Sequence, residues 1–353
     1  MGRQARGEVM DPSQIQIFHA VHRCVRRAFL CGKDPVTGVS FEHRREWIRR
    51  RLEFLASVFA IDCLTYTVLS NHLHLVLRSR PDVVQSWSDE EVARRWLRLF
   101  PCRRNPDGSP AEPTESEIGS IVNDPEKLSA RRRRLSDISW WMRCTAENIA
   151  RQSNREDNVA GHFWESRYKA QQLLDQAAVL ACAAYVDLNP IRAAMAERLE
   201  TSRFTGAKDR IDDLCERSDR SRMSDHQWER SRRRQHSGWL SPIEIAERDD
   251  AIGCDTSRGG RRASEKGFLS ISLCRYLELL DWTGRQIRRG KRGAIPKHLA
   301  PILTRLGLEA SVWCDVVARF GRSFKRAVGT AEHLQQEARR RGQRWLQSPG
   351  ALA

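Results

Sequence analysis

The chain has 353 residues, 40% of them apolar and 30% charged, with eleven tryptophans, a globular composition with room for a sizeable core and two domains that excludes wholesale disorder. Lysine and arginine number 61 against 45 acidic residues, a formal net charge of +16, which points to a polyanionic partner, nucleic acid first and an anionic membrane surface second. No segment approaches the roughly 20 apolar residues of a spanning helix, and no apolar stretch follows the arginines of "MGRQARGEVMDPSQ", so the expected setting is cytosolic.

In chain order, "IQIFHAVHRCVRRAFL" (15–30) begins with strand-like alternation. In 40–60, Ser40 stands as a possible cap, and Trp47, Ile48, Leu52, Leu55 and Phe59 recur at the spacing of an amphipathic helix. Residues 62–78 hold "CLTYTVL" and "NHLHLVLR", either paired across Ser70 and Asn71 or continuous. Period-two alternation turns His72 and His74 to one face and Leu73, Leu75 and Leu77 to the other, as in a strand with one buried face.

From 79 to 136 the pattern is lost in a segment rich in Pro, Asp, Ser and Glu, read as an insertion or long surface loop with short helices near 92–99 and 125–135. A helix resumes at "DISWWMRCTAENIARQSN", with Ile138, Trp141, Met142 and Ile149 near one face, followed by a turn and strand in "GHFWESRYKAQQLLD" (161–175). Asp175 can cap "QAAVLACAAYVDL", whose alanines predict close packing on a sheet, and "NPIRAAMA" restarts a helix at Asn189. Residues 206–268 read as a polar, partly flexible connector and 269–347 as a basic helical C-terminal domain. The ten cysteines are scattered without a C-x-x-C pair, which argues for reduced, mostly buried thiols over a zinc finger or disulfide framework.

Two constellations could carry chemistry. A His-x-His on a strand sets two imidazoles about 7 Å apart at the backbone, close enough to share one divalent ion; two polar residues facing solvent at a strand end fit the same pattern. In "AAYVDLNPIR" (183–192), Tyr185 and Asn189 are four apart and share a helix face, while a core tyrosine followed by a capping asparagine is the alternative.

Taken together and in this order, "FHAVHRCVRRAFLCG", "NHLHLVL", "GHFWESRYKAQQLLD" and "AYVDLNPIRA" resemble the single-tyrosine transposases of the HUH nuclease superfamily, in particular the insertion-sequence-200-like group and its REP-associated relatives. The resemblance covers roughly residues 12–205 and implies an α+β fold, a ferredoxin-like sandwich, carrying the catalytic domain with an insertion at 79–136. It implies that His72, His74 and Asn189 bind Mg²⁺ or Mn²⁺. Asn stands where many relatives have Gln, and the shorter side chain makes it the least secure ligand of the three.

Tyr185 would attack a phosphodiester of single-stranded or hairpin DNA, leaving a 5′-phosphotyrosine and a 3′-hydroxyl that a second 3′-hydroxyl can later displace. Trp164 and Tyr168 would stack on bases, with Arg167, Lys169 and Arg192 on the DNA. The Arg131–Arg134 run is either a solvated face or part of the DNA track, and "DWTGRQIRRGKRG" suggests on charge alone a second DNA-contacting module. A nucleoid-associated cytoplasmic enzyme without membrane contact follows, as monomer or homodimer. The alternatives are a catalytically silent DNA-binding regulator of the same fold and a metal-dependent phosphodiesterase that does not need Tyr185.

Overall fold

The computed structural model describes residues 10–25, 30–34, 36–218, 235–246, 253–287, 310–324 and 326–346. A five-stranded mixed sheet in the order β2-β3-β1-β4-β5 organises an α+β chain. Its strands are β1 (Ile17–Arg23), β2 (Ile61–Val68), β3 (His72–Ser79), β4 (Lys169–Leu173) and the short β5 (Ala327–Val328). The first four pair antiparallel; β5 joins β4 in parallel.

β2 and β3 form a hairpin that pairs Val68 with Leu73, and a register shift between Cys63 and Thr65 turns Leu64 to the face it shares with Val76. Both faces of the sheet are covered, so the expectation of one buried face for β3 is corrected: seven of its eight residues are buried. Leu73, Leu75 and Leu77 join the core under α1 (His43–Val58) and α6 (Ile138–Glu156), while Val76 joins the core under α7 (Gln176–Asp187). Ser40 does not cap α1, because it pairs in a bridge with Lys33, and Glu42 occupies the cap position without a side-chain bond.

Residues 79–136, expected as a loop with two short helices, hold four: α2 (Pro81–Ser86), α3 (Asp89–Leu99), α4 (Glu115–Val122) and α5 (Pro125–Leu135). Local capping explains how short helices persist there: Ser88 accepts from the Glu91 amide, Thr114 and Glu117 form a capping box, and Asp124 accepts from the Lys127 amide. Val92, Trp96, Leu97, Ile118, Ile121 and Leu135 carry these helices into the first core.

Asp175 caps α7 by accepting from the Ala178 amide, and every α7 residue from Ala177 to Asp187 is buried. Alanines let α7 sit close to the sheet below and to α11 (Ala310–Ser323) above, where Trp313, Val317 and Phe320 complete the second core. A four-residue turn of helix, α8 (Asn189–Arg192), continues from α7. The fully buried Asp187 accepts from Thr65 Oγ1 at 2.7 Å, Tyr276 Oη at 2.6 Å and the Ala207 amide at 3.0 Å, tying β2, α9 (Gly206–Ser218) and α10 (Leu273–Ile287) together. α9 thus lies within the stretch read as a connector. α12 (Ala331–Arg340) follows β5.

Five of the ten cysteines are buried, two part-buried and three exposed, fewer hidden than expected. No helix among the described residues is long and apolar enough to cross a membrane. Arg285 of the basic "DWTGRQIRRGKRG" stretch pairs with Asp281, and residues 288–293 lie outside the described residues.

Candidate functional site

Strand register decides which side chains meet. β1 pairs Val21 with His74, Arg23 with His72 and His19 with Val76, and β4 sets Gln171 opposite His19 and Lys169 opposite Val21. Directly paired residues project to the same side of an antiparallel sheet, so His19, His72, His74, Lys169 and Gln171 share the face that α7 covers. They line a cleft of about 860 Å³ together with Tyr168, Tyr185, Asn189 and Arg192.

A chain of hydrogen bonds crosses this face. Gln171 Nε2 donates to the Phe324 carbonyl, His19 Nδ1 lies 3.0 Å from Gln171 Oε1, His19 Nε2 lies 2.9 Å from His74 Nδ1, and His74 Nε2 lies 3.1 Å from Asn189 Nδ2. A carbonyl can only accept, and that fixes the direction of every link. Gln171 must offer its oxygen to His19, so His19 donates from Nδ1 and accepts at Nε2. His74 then donates from Nδ1, and its Nε2 keeps a lone pair facing Asn189. His72 is set in the same way, with Nδ1 2.6 Å from Asn71 Oδ1, and its ring stands edge-on to His74 with centroids 4.7 Å apart. Both histidines of the His-x-His pair therefore present an Nε2 lone pair. Asn189 does not cap α8, whose cap position is Leu188; its amide is spent on His74 instead.

Burial keeps these rings neutral. It pushes His19 down to about 4 against the opposing Gln171 hydrogen bond, and His72 down to about 4 with help from Arg23 and His19. His74 lies well below its ordinary value, through burial first and then through His19, His72, Arg192 and Arg23. Between the ordinary 6.5 and about 4 the unfolded chain therefore binds protons that the native state does not. This contribution to stability is complete above pH 6.5 and is lost as pH falls through that window, by up to about 1.4 kcal/mol per pH unit for each histidine. Urea unfolding midpoints should fall accordingly between neutral and mildly acid pH, with a shallower dependence in His19→Gln; equal midpoints would contradict the buried neutral cluster.

Tyr185, 9% exposed, sits over the histidines. Its ring meets His74 and His19 edge-on at 5.6 and 5.8 Å, tilts against Phe320 at 5.5 Å and carries the Arg192 guanidinium 4.6 Å above it. Arg192 also donates to the Ala318 carbonyl, so α11 holds both the tyrosine and its cation. The backbone of α11 comes so close that a β-carbon on Gly321 would lie 2.6 Å from Tyr185 Oη. Gly321→Ala should cost about 1–3 kcal/mol of stability through this overlap. The cost should shrink by about 1 kcal/mol when Tyr185→Phe removes the oxygen, a coupling that a double-mutant cycle in denaturant measures.

Of the residues expected on DNA, Arg167 and Lys169 are exposed at the cleft, and Arg192 lies beside Tyr185. Tyr168 lines the cleft but is only 5% exposed, its hydroxyl 3.0 Å from Ser139 Oγ. Trp164 does not line the cleft: it stacks on His22 with centroids 4.0 Å apart and donates to the Ala146 carbonyl. One face of its ring is therefore taken by His22. His19, Gln171 and Gly321 went unnoticed in the sequence as members of the site.

Among the described residues no group of three or more His, Cys, Asp or Glu side chains is arranged to hold a metal ion. The donors present are two imidazole nitrogens and one amide; the His74 Nε2 lone pair accepts from the Asn189 amide, so the set fits a divalent cation with that amide turned to present its oxygen. With a single oxygen donor from the protein, a hard ion would take its other ligands from water or a phosphate.

No family model matches the chain, and no curated protein matches it. A solved structure described as "Structure of the REP associates tyrosine transposase bound to a REP hairpin" aligns with a TM-score of 0.30 and 10% identity, over 54% of this chain and 75% of that one, a distant structural likeness.

Proposed function

We propose that the protein is a single-strand DNA nuclease and strand transferase of the single-tyrosine HUH type, acting on single-stranded or hairpin DNA in transposition or the mobilisation of repeat elements. The observation that carries the proposal is the convergence of Tyr185, Asn189, His72 and His74 on one cleft, from a strand and a helix more than 100 residues apart in sequence. The strand order β2-β3-β1-β4, with α1 and α6 on one face, supports a ferredoxin-like sandwich. In this reading residues 12–205 form the catalytic unit, with 206–268 and 269–347 as connector and C-terminal part.

His72, His74 and Asn189 would hold Mg²⁺ or Mn²⁺, which when bound polarises the scissile phosphate and offsets its added charge. Asn189 would present its amide oxygen by a rotation of the amide. Tyr185 Oη forms the bond to phosphorus as the P–O3′ bond breaks, the phenolic proton leaving to a base or solvent and the departing 3′-oxygen taking one up, which gives a 5′-phosphotyrosine and a free 3′-hydroxyl. Arg192 stands where its charge meets a phosphate brought to Tyr185, and Arg167 and Lys169 would hold flanking phosphates.

Labelled hairpin DNA from the sequences flanking the gene, incubated with Mn²⁺ or chelator and run on a denaturing gel, should give a metal-dependent band at the protein's mass. Metal-dependent cleavage without that band would overturn the tyrosine mechanism. The low exposure of Tyr185 beneath α11 favours one second reading, a DNA-binding regulator whose tyrosine stays covered. Binding without an adduct on any flanking hairpin would be its signature.

A further inference from the structure

The helices of the 79–136 segment build a feature that the cleft does not use. Along α3, α5 and α6, arginine and tryptophan side chains alternate. Arg131 Cζ lies 4.4 Å from the Trp96 ring centre, Arg134 Cζ 5.8 Å from Trp96 and 4.5 Å from Trp140, and Arg143 Cζ 4.9 Å from Trp140. The two indoles meet edge to face at 5.7 Å, and Phe100, 40% exposed, packs on Trp96 at 4.7 Å.

The counter-charges are missing where they would be expected. Arg132, in the same run, pairs with Asp89, and Arg143 pairs with Glu147. Among the described residues Arg131 and Arg134 have no carboxylate within 4.0 Å, and Arg131 Nε is buried without a hydrogen-bond partner. Burial and then the Arg134 charge lower the pKa of Arg131; Asp124 opposes them and is itself paired with Lys127 at 3.0 Å. Two guanidinium groups are thus held beside each other on aromatic faces, their planes pre-ordered and their donor edges unspent.

This is a costly arrangement for a solvated face, and an anion with repeated charges relieves it. A ring open at Phe100 favours a polynucleotide over a simple polyanion, because a base can stack where the phosphates are gripped. α6 links the two regions: Ser139, one residue before Trp140, hydrogen-bonds to Tyr168, which lines the cleft.

We propose that the Arg131–Trp96–Arg134–Trp140–Arg143 ladder, with Phe100, is a second nucleic-acid contact that takes the phosphates of a single strand running beyond the cleft. It rests on the reading of the cleft as a DNA site for the identity of the strand, although the ladder itself needs no Tyr185 chemistry.

The test is affinity against salt. A fluorescein-labelled, mixed-sequence single-stranded oligonucleotide about 30 nucleotides long is titrated by anisotropy at several NaCl concentrations with the full chain, with Arg131→Gln/Arg134→Gln and with Arg131→Lys/Arg134→Lys. The Gln pair should bind about tenfold more weakly and lose about 1.4 from the slope of log K against log salt, near 0.7 for each phosphate released from contact. The Lys pair, which keeps charge and loses the stacked fork, should keep the slope and weaken less. Thermal melting identifies a variant that has not folded; if the Gln pair does not fold, the Lys pair and Phe100→Ala decide, and unchanged affinity in both overturns the proposal. An unchanged slope in a folded Gln pair also overturns it. Covalent capture by the same proteins on the flanking hairpin DNA with Mn²⁺ separates the two readings: a changed slope without an adduct on any flanking hairpin keeps the ladder and removes the nuclease, and an adduct with an unchanged slope does the reverse.

Discussion

Replacing Tyr185 by phenylalanine should abolish the covalent protein–DNA adduct that the proposed function requires, a loss of about a thousandfold or more, while DNA affinity and stability should change little. The substitution removes one oxygen and nothing else. The ring contacts with His19, His74 and Phe320 and the cation above the ring are made by carbon atoms that remain. Loss of the nucleophile leaves no partial route to a phosphotyrosine, so the drop should appear in adduct yield at saturating DNA and not in the concentration needed to saturate. A denaturing gel with end-labelled DNA measures the first and anisotropy the second. Cleavage that survives in Tyr185→Phe at the wild-type rate would assign the chemistry to the histidine cleft alone, the phosphodiesterase alternative.

His74→Ala strikes the centre of the hydrogen-bond chain. It takes away one proposed metal ligand and leaves His19 Nε2 and the Asn189 amide without their partner inside a buried site. Mn²⁺ affinity, read from the free-ion signal in electron paramagnetic resonance, should weaken about a hundredfold or more, and stability should fall by about 1–3 kcal/mol for the orphaned polar atoms. His19→Phe leaves all three proposed ligands in place and frees only the tautomer of His74, so its effect on Mn²⁺ should be smaller, about tenfold. If His74→Ala binds Mn²⁺ as well as the unaltered chain, the histidine pair is not a metal site.

What could be read from residues was what depends on neighbours in sequence. The period-two face shared by His72 and His74, the Asp175 cap of α7 and the four-residue offset of Tyr185 and Asn189 are local, and all three are present. His19 and Gln171 were hidden because nothing in "IFHAVHR" or "KAQQL" says which strand each will lie against; the register that joins them spans 152 residues. Asn189 was ambiguous for a chemical reason, since the same side chain caps a helix or reaches a histidine, and only the position of β3 chooses between them. Trp164 and Tyr168 show a further limit: an aromatic between charges looks like a stacking platform, yet exposure depends on what packs above it, here His22 and the start of α6. Three of the four helices of 79–136 start at local caps, one of them a capping box, inside a polar stretch whose composition reads as loop.

The cover over Tyr185 bears on how such a chain comes into being. Gln171 is anchored by a carbonyl 153 residues further on, and the outer side of α7 is closed by Trp313, Val317 and Phe320. A ribosome adding about 5–20 residues per second reaches those positions many seconds after the first four strands and the tyrosine helix have been made. During that interval an alanine-rich helix, buried from Ala177 to Asp187 in the finished fold, has no roof. The nascent chain then exposes the outer, apolar side of α7 together with the Tyr185 ring, and this is the stage at which a chaperone holding α7 would serve solubility.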